Sequence, residues 1–198
     1  MLQQINGLIF LEVKLNQDFK MKYQDAIKQE MEKLANDDKV IFVGYNVSYG
    51  SRAYGTLKDI PKEKKLETPV TENLMAGLCT GLAMEGFKPV LFFERHDFML
   101  IALDSLLNHL DKIDSMSLGE YKSPPVIIRA VVGATKPLYP GPQHLQDFTK
   151  IFKEIFHFPV IEVRNIQEIK KAYEEAGKFE KPVMIIERKD LYGEEFEE

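Results

Sequence analysis

Apolar positions along the chain alternate between two rhythms. From residue 23 to 34 they recur at Ile27, Met31 and Leu34 with charges between, the spacing of one helical face, and Asn36-Asp37-Asp38 ends the run. Val40-Ile41-Phe42-Val43 follows, wholly apolar and closed by Gly44, as expected of a strand covered on both faces. Residues 46–68 are polar and irregular, and their basic cluster Lys62-Glu63-Lys64-Lys65 reads as solvated surface. Helical spacing returns over residues 72–85, stopping at Gly86, and over 98–113, where Leu103, Leu106, Leu107 and Leu110 share a face. Two more helices are expected over 145–156 and 166–177. Strand-like runs separate them at residues 89–93, 125–128, 160–163 and 183–186.

Strands separated by helices require crossover connections. The pattern therefore predicts an α/β fold, a mostly parallel sheet with helices on both faces, in one domain without internal repeats. Ligands of such sheets sit beyond the carboxyl ends of the strands. Three loops are expected there: through Pro69 to Glu72, after Phe93, and from Val131 to His144.

Composition narrows the classes. With 198 residues, 44% hydrophobic and 29% charged, the chain suits a single sizeable core. A net charge of -5 argues against nucleic acid as the main partner. The acidic end, Glu194-Glu195-Phe196-Glu197-Glu198, reads as a solvated tail. A single cysteine, Cys79, excludes an internal disulfide, fits a reducing compartment and has the neighbours of a packed core thiol. The apolar run Leu8-Ile9-Phe10-Leu11 is too short to span a membrane and no basic region precedes it, so the expected location is cytoplasmic.

Few residues offer chemistry. Glu72 stands at a helix start, where a carboxylate suits the helix dipole. The helix after it carries Ala76, Gly77, Thr80, Gly81 and Ala83, a small surface that either admits another backbone or packs in a crowded core. Phe92 and Phe93 read as core; Phe98 suits either the core or a platform for a flat ring. Glu94-Arg95-His96-Asp97 lacks metal-ligand spacing, so no metal site is expected. His144 closes a Gly/Pro loop, Pro140-Gly141-Pro142-Gln143, at the presumed ligand edge.

Glu67-Thr68-Pro69-Val70-Thr71-Glu72 with Ala76-Gly77 resembles the acidic-Thr-Pro-aliphatic-Ser/Thr-Glu motif of the transketolase-type pyrimidine-binding domain. The similarity is nearest to the beta subunits of 2-oxo acid dehydrogenase (pyruvate or branched-chain) decarboxylases. Gly86-Phe87-Lys88-Pro89-Val90, Asp97-Phe98, Ala102-Leu103-Asp104, Asn108, Lys112, Met116-Ser117, Pro125 to Arg129, Gln143-His144 and Leu191-Tyr192-Gly193 follow in the family's order, covering residues 23–193.

The resemblance implies thiamine diphosphate as cofactor. It implies Glu72 as the carboxyl that activates the aminopyrimidine, Phe98 stacked on that ring, Glu94 beside the cofactor, and His144 near the reacting carbon. The family's Gly-Asp-Gly…Asn signature is absent, which implies that a partner chain, an alpha-type diphosphate-binding subunit, holds Mg²⁺ and the diphosphate in a dimer or α2β2 heterotetramer. The implied activity is one half of an oxidative decarboxylase of a 2-oxo acid, with ketol or aldehyde transfer, or a non-catalytic domain, as alternatives. No membrane partner is implied.

Residues 1–20 match nothing in the pattern, residues 21–193 form the expected domain and 194–198 the tail. The family's further carboxyl-terminal domain does not follow Gly193, by nature or by truncation. Two departures stand out. Gly44-Tyr45-Asn46-Val47 replaces the usual Gly-acidic-acidic-Val, and Glu94 replaces an apolar residue or glutamine, which disfavours a substrate carboxylate nearby.

Overall fold

Alternation along each strand decides which helical layer it meets. The computed structural model describes residues 20–197, so the unplaced amino-terminal stretch, but for Lys20, lies outside the described residues. Strands β1 (Lys20–Lys22), β2 (Val40–Gly44), β3 (Lys65–Glu67), β4 (Lys88–Phe93), β5 (Ile127–Val132), β6 (Val160–Glu162), β7 (Val183–Arg188) and β8 (Glu195–Glu197) run in chain order. The helices are α1 (Tyr23–Leu34), α2 (Glu72–Met84), α3 (His96–Met99), α4 (Ile113–Met116), α5 (Thr149–Ile155) and α6 (Ile166–Ala176).

Six strands form one parallel sheet in the order β3-β2-β4-β5-β7-β6. Phe42, Val90, Phe92, Ile127, Val131, Val183 and Ile185 face α1 and α6, packing on Ile27, Met31, Ile169 and Tyr173. The intervening Val43, Leu91, Phe93, Ile128, Ala130, Met184 and Ile186 face the other layer, with Met75, Cys79, Leu106 and Phe152. Burial on both faces explains the uninterrupted apolar runs. Cys79 is fully buried, and burial pushes its thiol well above the usual range.

Three expectations are corrected. The helix expected over 98–113 is broken into α3, a 3-10 turn at Leu100–Ala102, a π-helical segment at Asp104–Leu110, and α4. Leu106 and Leu110 still point inward, but Ser105 is tied to Asn73 of α2 through a 2.6 Å hydroxyl–amide bond at the wide turn. The helix expected from 145 begins only at Thr149, because Gln146 and Phe148 are bonded sideways to Asp97 and His96. The acidic tail is not merely solvated: Glu195–Glu197 pairs antiparallel with Lys20–Lys22, and the Phe196 ring lies 6.3 Å from that of Tyr23.

Strand β3 is also new relative to the sequence pattern. It is a three-residue edge strand, short and charged as exposed edges usually are, with Leu66 as its single apolar residue. From β2 the chain moves outward to β3 and then crosses back to β4 on the other side. The reversal lies between the carboxyl ends of β2 and β4, the place where open parallel sheets bind ligands.

Candidate active site

Gly44 ends β2 with φ +155, and a Cβ there would lie 3.0 Å from the Phe92 carbonyl. The ends of β2 and β4 can approach this closely because residue 44 has no side chain. The turn that follows is held by Glu67, whose carboxylate accepts the backbone N–H groups of Asn46 (2.6 Å), Val47 (3.0 Å) and Ser48 (2.6 Å). Charge-assisted bonds of this kind fix the turn, and with it Tyr45.

Tyr45 is buried, and its hydroxyl makes no well-formed hydrogen bond. Burial pushes that hydroxyl well above the usual tyrosine range, and the nearby carboxylates of Glu72 and Glu94 push it further. Glu72 opens α2 after Thr71, whose side chain makes no capping bond, and is only 4% exposed. The predicted Glu72 and Glu94 thus meet around one aromatic ring.

Glu94 is held from the other side. Its carboxylate accepts the Ser51 hydroxyl at 2.8 Å, and its carbonyl accepts the Tyr54 hydroxyl at 3.0 Å and an Arg95 N–H at 2.7 Å. Ser51 and Tyr54 reach it from a left-handed run, Arg52, Ala53 and Tyr54 at φ 48, 51 and 56, followed by Gly55 at φ 82. Left-handed backbone costs an L-residue about 1–2 kcal/mol, and such strain concentrates at ligand sites.

The loop after β4 pins the third loop. His96 is fully buried; its Nδ1 accepts the Phe148 N–H at 3.2 Å, leaving the proton on Nε2, and burial lowers its pKa to about 4. Asp97 accepts the Gln146 side chain at 2.8 Å. The rings of Phe98 and His144 meet edge-to-face, 5.2 Å apart. The His144 carbonyl packs on Gly133, where a Cβ would lie 1.7 Å from it.

The predicted residues therefore form two pairs on one edge, Glu72–Glu94 about Tyr45 and Phe98–His144, joined by the loop after β4. Among the described residues, six of eight buried side-chain polar atoms without a hydrogen-bond partner belong here, on Tyr45, Thr68, Arg95, His96, Asp97 and His144. Orphaned buried groups are uncommon and mark strain or function. Tyr45 and the positioning roles of Glu67 and His96 were not identified from sequence; the one signal was the departure at Gly44-Tyr45-Asn46-Val47.

Two cavities, of about 430 and 700 Å³, open at the opposite edge, near the starts of the strands. The first is an apolar gap between α1 and α6 rimmed by ion pairs such as Lys88–Asp37. Neither is lined by a candidate residue; the sheet reversal and the orphaned groups lie at the carboxyl edge instead. Among the described residues no group of three or more His, Cys, Asp or Glu could hold a metal ion. No helix there is long and apolar enough to cross a membrane.

Beside Glu72 the outer face of α2 is uncovered. Val70 (68% exposed), Leu74 (58%) and Met84 (57%) line up with the exposed Gly77 and Gly81. Ala76, Thr80 and Ala83 pack inward, so the small surface splits between core and solvent.

A sheet reversal flanked by a buried glutamate, an aromatic and a histidine defines a parallel α/β ligand-binding domain. The chain belongs to the transketolase pyrimidine-binding domain family, which it matches over residues 19–195. It is 30% identical over 178 residues to the pyruvate dehydrogenase E1 component subunit beta of Rickettsia conorii, covering 88% of this chain and 53% of that protein. The mitochondrial counterparts of Saccharomyces cerevisiae (31% over 182 residues, 89% and 49% covered) and Homo sapiens (30% over 179, 88% and 49%) are similar. The chain spans about half the length of the curated relatives it matches. A solved split-gene transketolase, an inactive beta4 tetramer, shares the fold at TM-score 0.66 and 17% identity, covering 85% of this chain and 51% of that one.

Proposed function

We propose that this chain is the pyrimidine-gripping subunit of a thiamine-diphosphate-dependent enzyme that acts on a 2-oxo acid together with a diphosphate-binding partner. The observation that supports this most is Glu72. It is a carboxyl group almost sealed from water, in the first turn of α2, directly beside an uncovered apolar stripe. A desolvated glutamate at a subunit boundary is what half of a shared cofactor site requires.

The residues present fit the cofactor's pyrimidine. Glu72 offers one carboxyl to a ring nitrogen, Phe98 offers a half-buried ring for stacking, and His144 offers an unpartnered Nδ1. Thiamine diphosphate, when bound, supplies a thiazolium carbon acid able to add to carbonyls. Glu72 places its carboxyl oxygens for proton exchange with the pyrimidine nitrogen, a positioned acid–base role typically worth about 10²–10⁴-fold in rate. His144, fixed by Gly133 and Phe98, faces the substrate. Magnesium and the diphosphate fall to the partner, in a dimer or α2β2 assembly that buries the Val70–Met84 stripe. The functional unit is wider than the expected residues 21–193 and takes in the paired strands at 20–22 and 195–197, and the location is cytoplasmic.

A second reading, ketol or aldehyde transfer, is favoured by Glu94, a carboxylate beside Tyr45 that disfavours a second anion close to it. The experiment is reconstitution with a diphosphate-binding chain that carries a Gly-Asp-Gly…Asn segment. The pair is expected to bind thiamine diphosphate tightly and to turn over a carbonyl donor, while Glu72→Gln assembles and is inactive. Full activity in Glu72→Gln would sink the proposal.

A further inference from the structure

Lys189 follows β7 and Arg95 follows β4, both at the carboxyl edge of the sheet. They share an aromatic floor. The Lys189 ammonium lies 3.8 Å from the centre of the Tyr54 ring and 4.3 Å from that of Tyr192, and the Arg95 guanidinium carbon lies 5.2 Å from the Tyr54 centre. Both cations are half-buried, and neither forms an ion pair among the described residues. The buried Arg95 Nε has no acceptor.

The acidic groups around them act on them through space but pair with other partners or with none. Both oxygens of Glu187 are taken by Arg129, with the Tyr173 and Tyr192 hydroxyls added. Glu94 accepts Ser51, Asp97 accepts Gln146, and Asp190 lies 3.6 Å from Arg188. Burial first, then Arg95, lowers the pKa of Lys189 to about 8, with Glu187 and Glu94 opposing. Burial likewise lowers that of Arg95, against Tyr192, Tyr45 and Asp97. The left-handed run that carries Tyr54 holds this arrangement at a cost in backbone energy, so the floor is built rather than incidental.

We propose that Arg95 and Lys189 form a subsite for an oxyanion, the carboxylate or phosphate group of the carbonyl substrate. This rests on the reading above that the carboxyl edge is the active site. A guanidinium fork beside a compact ammonium suits either oxyanion.

The test uses the full chain with its lysines reductively ¹³C-methylated, the Lys189 resonance assigned by its loss in Lys189→Arg. Its titration midpoint is followed at constant ionic strength in chloride, inorganic phosphate and pyruvate. Relative to chloride the midpoint is expected to rise by about one unit with at least one of the two probes, as an opposite charge favours the ammonium. A rise with phosphate alone assigns a phosphorylated substrate; a rise with pyruvate assigns a carboxylate. In Arg95→Gln, shown folded by its amide spectrum, the rise should vanish. Midpoints equal in all three salts, or a rise undiminished in Arg95→Gln, would overturn the subsite. The readout needs neither partner nor cofactor, so its failure is distinct from a failure of Glu72→Gln in the reconstituted pair.

Discussion

Arg129 and Glu187 face each other on neighbouring strands, fully buried, their side chains joined at 2.8 and 3.0 Å by two parallel bonds. Burial works against the arginine's charge, and Glu187 together with Tyr173 and Tyr192 outweighs it. Arg129 also stacks 5.1 Å over Phe92 and donates to Thr56 at 3.1 Å, tying the long loop before β3 to the sheet. The pair thus braces the layer on which Tyr54 and Tyr192 rest.

Removing one partner leaves a buried charge uncompensated. Arg129→Met is expected to lower stability by about 3–5 kcal/mol. Adding Glu187→Gln should recover part of this, since the neutral amide removes the stranded charge and still accepts from tyrosine. Urea midpoints of the single and double variants check it; a double variant weaker than the single would contradict this account of the brace.

His96 makes stability depend on pH. Its pKa in the folded chain is about 4, below its ordinary 6.5, because burial disfavours the imidazolium. Asp147 and Asp97 offset this in part, while Arg188 adds to it. The unfolded chain therefore binds the proton first. The contribution is complete above pH 6.5 and is lost as pH falls through 4, by up to roughly 3 kcal/mol. His96→Gln, which keeps an acceptor for the Phe148 N–H, should flatten the dependence between these values. Parallel slopes of melting temperature against pH in the two proteins would rule His96 out.

Gly133 sets the height of His144. A Cβ at this position meets backbone, the His144 carbonyl at 1.7 Å, and backbone cannot step aside as a side-chain tip can. Gly133→Ala is expected to displace the 133–148 loop and cost about 1–3 kcal/mol. The His144 ring resonances should shift while the core methyl signals of Ile128 and Ile186 stay. Unchanged His144 resonances would show that Gly133 does not position it.

Much of this architecture was legible from pattern. Both-face burial writes itself as apolar runs, so five of the six sheet strands were found, and α1 and α6 were found within a residue. Strand β3 was hidden because an edge strand is selected for charge rather than apolarity. The break after Phe98 was hidden because a π-helical segment keeps leucines inward at nearly helical spacing, and only the Ser105–Asn73 tie reveals it. At the site, motif order pointed to Glu72, Glu94, Phe98 and His144. Tyr45, Glu67 and Arg95 act through contacts roughly 20 to 50 residues distant or through a left-handed turn without glycine at Arg52-Ala53-Tyr54, and neither leaves a local signature.

Gly81 separates the needs of the fold from those of assembly. It lies in the interior of α2, where glycine costs roughly 1 kcal/mol against alanine, and a Cβ there would meet nothing within 4 Å. Within the isolated chain the glycine is therefore a loss without a local reason. Close approach of a partner backbone supplies one. Gly81→Ala should raise the melting temperature of the free chain, by up to about 1 kcal/mol in stability, and yet weaken its association with itself or with the diphosphate-binding partner. Leu74→Glu, at a position 58% exposed, should leave the free chain within about 0.5 kcal/mol and abolish association. Sedimentation of each variant beside the unmodified chain measures both effects. If Gly81→Ala assembles as tightly as the original, the stripe is ordinary surface and the partner must approach Glu72 from another side.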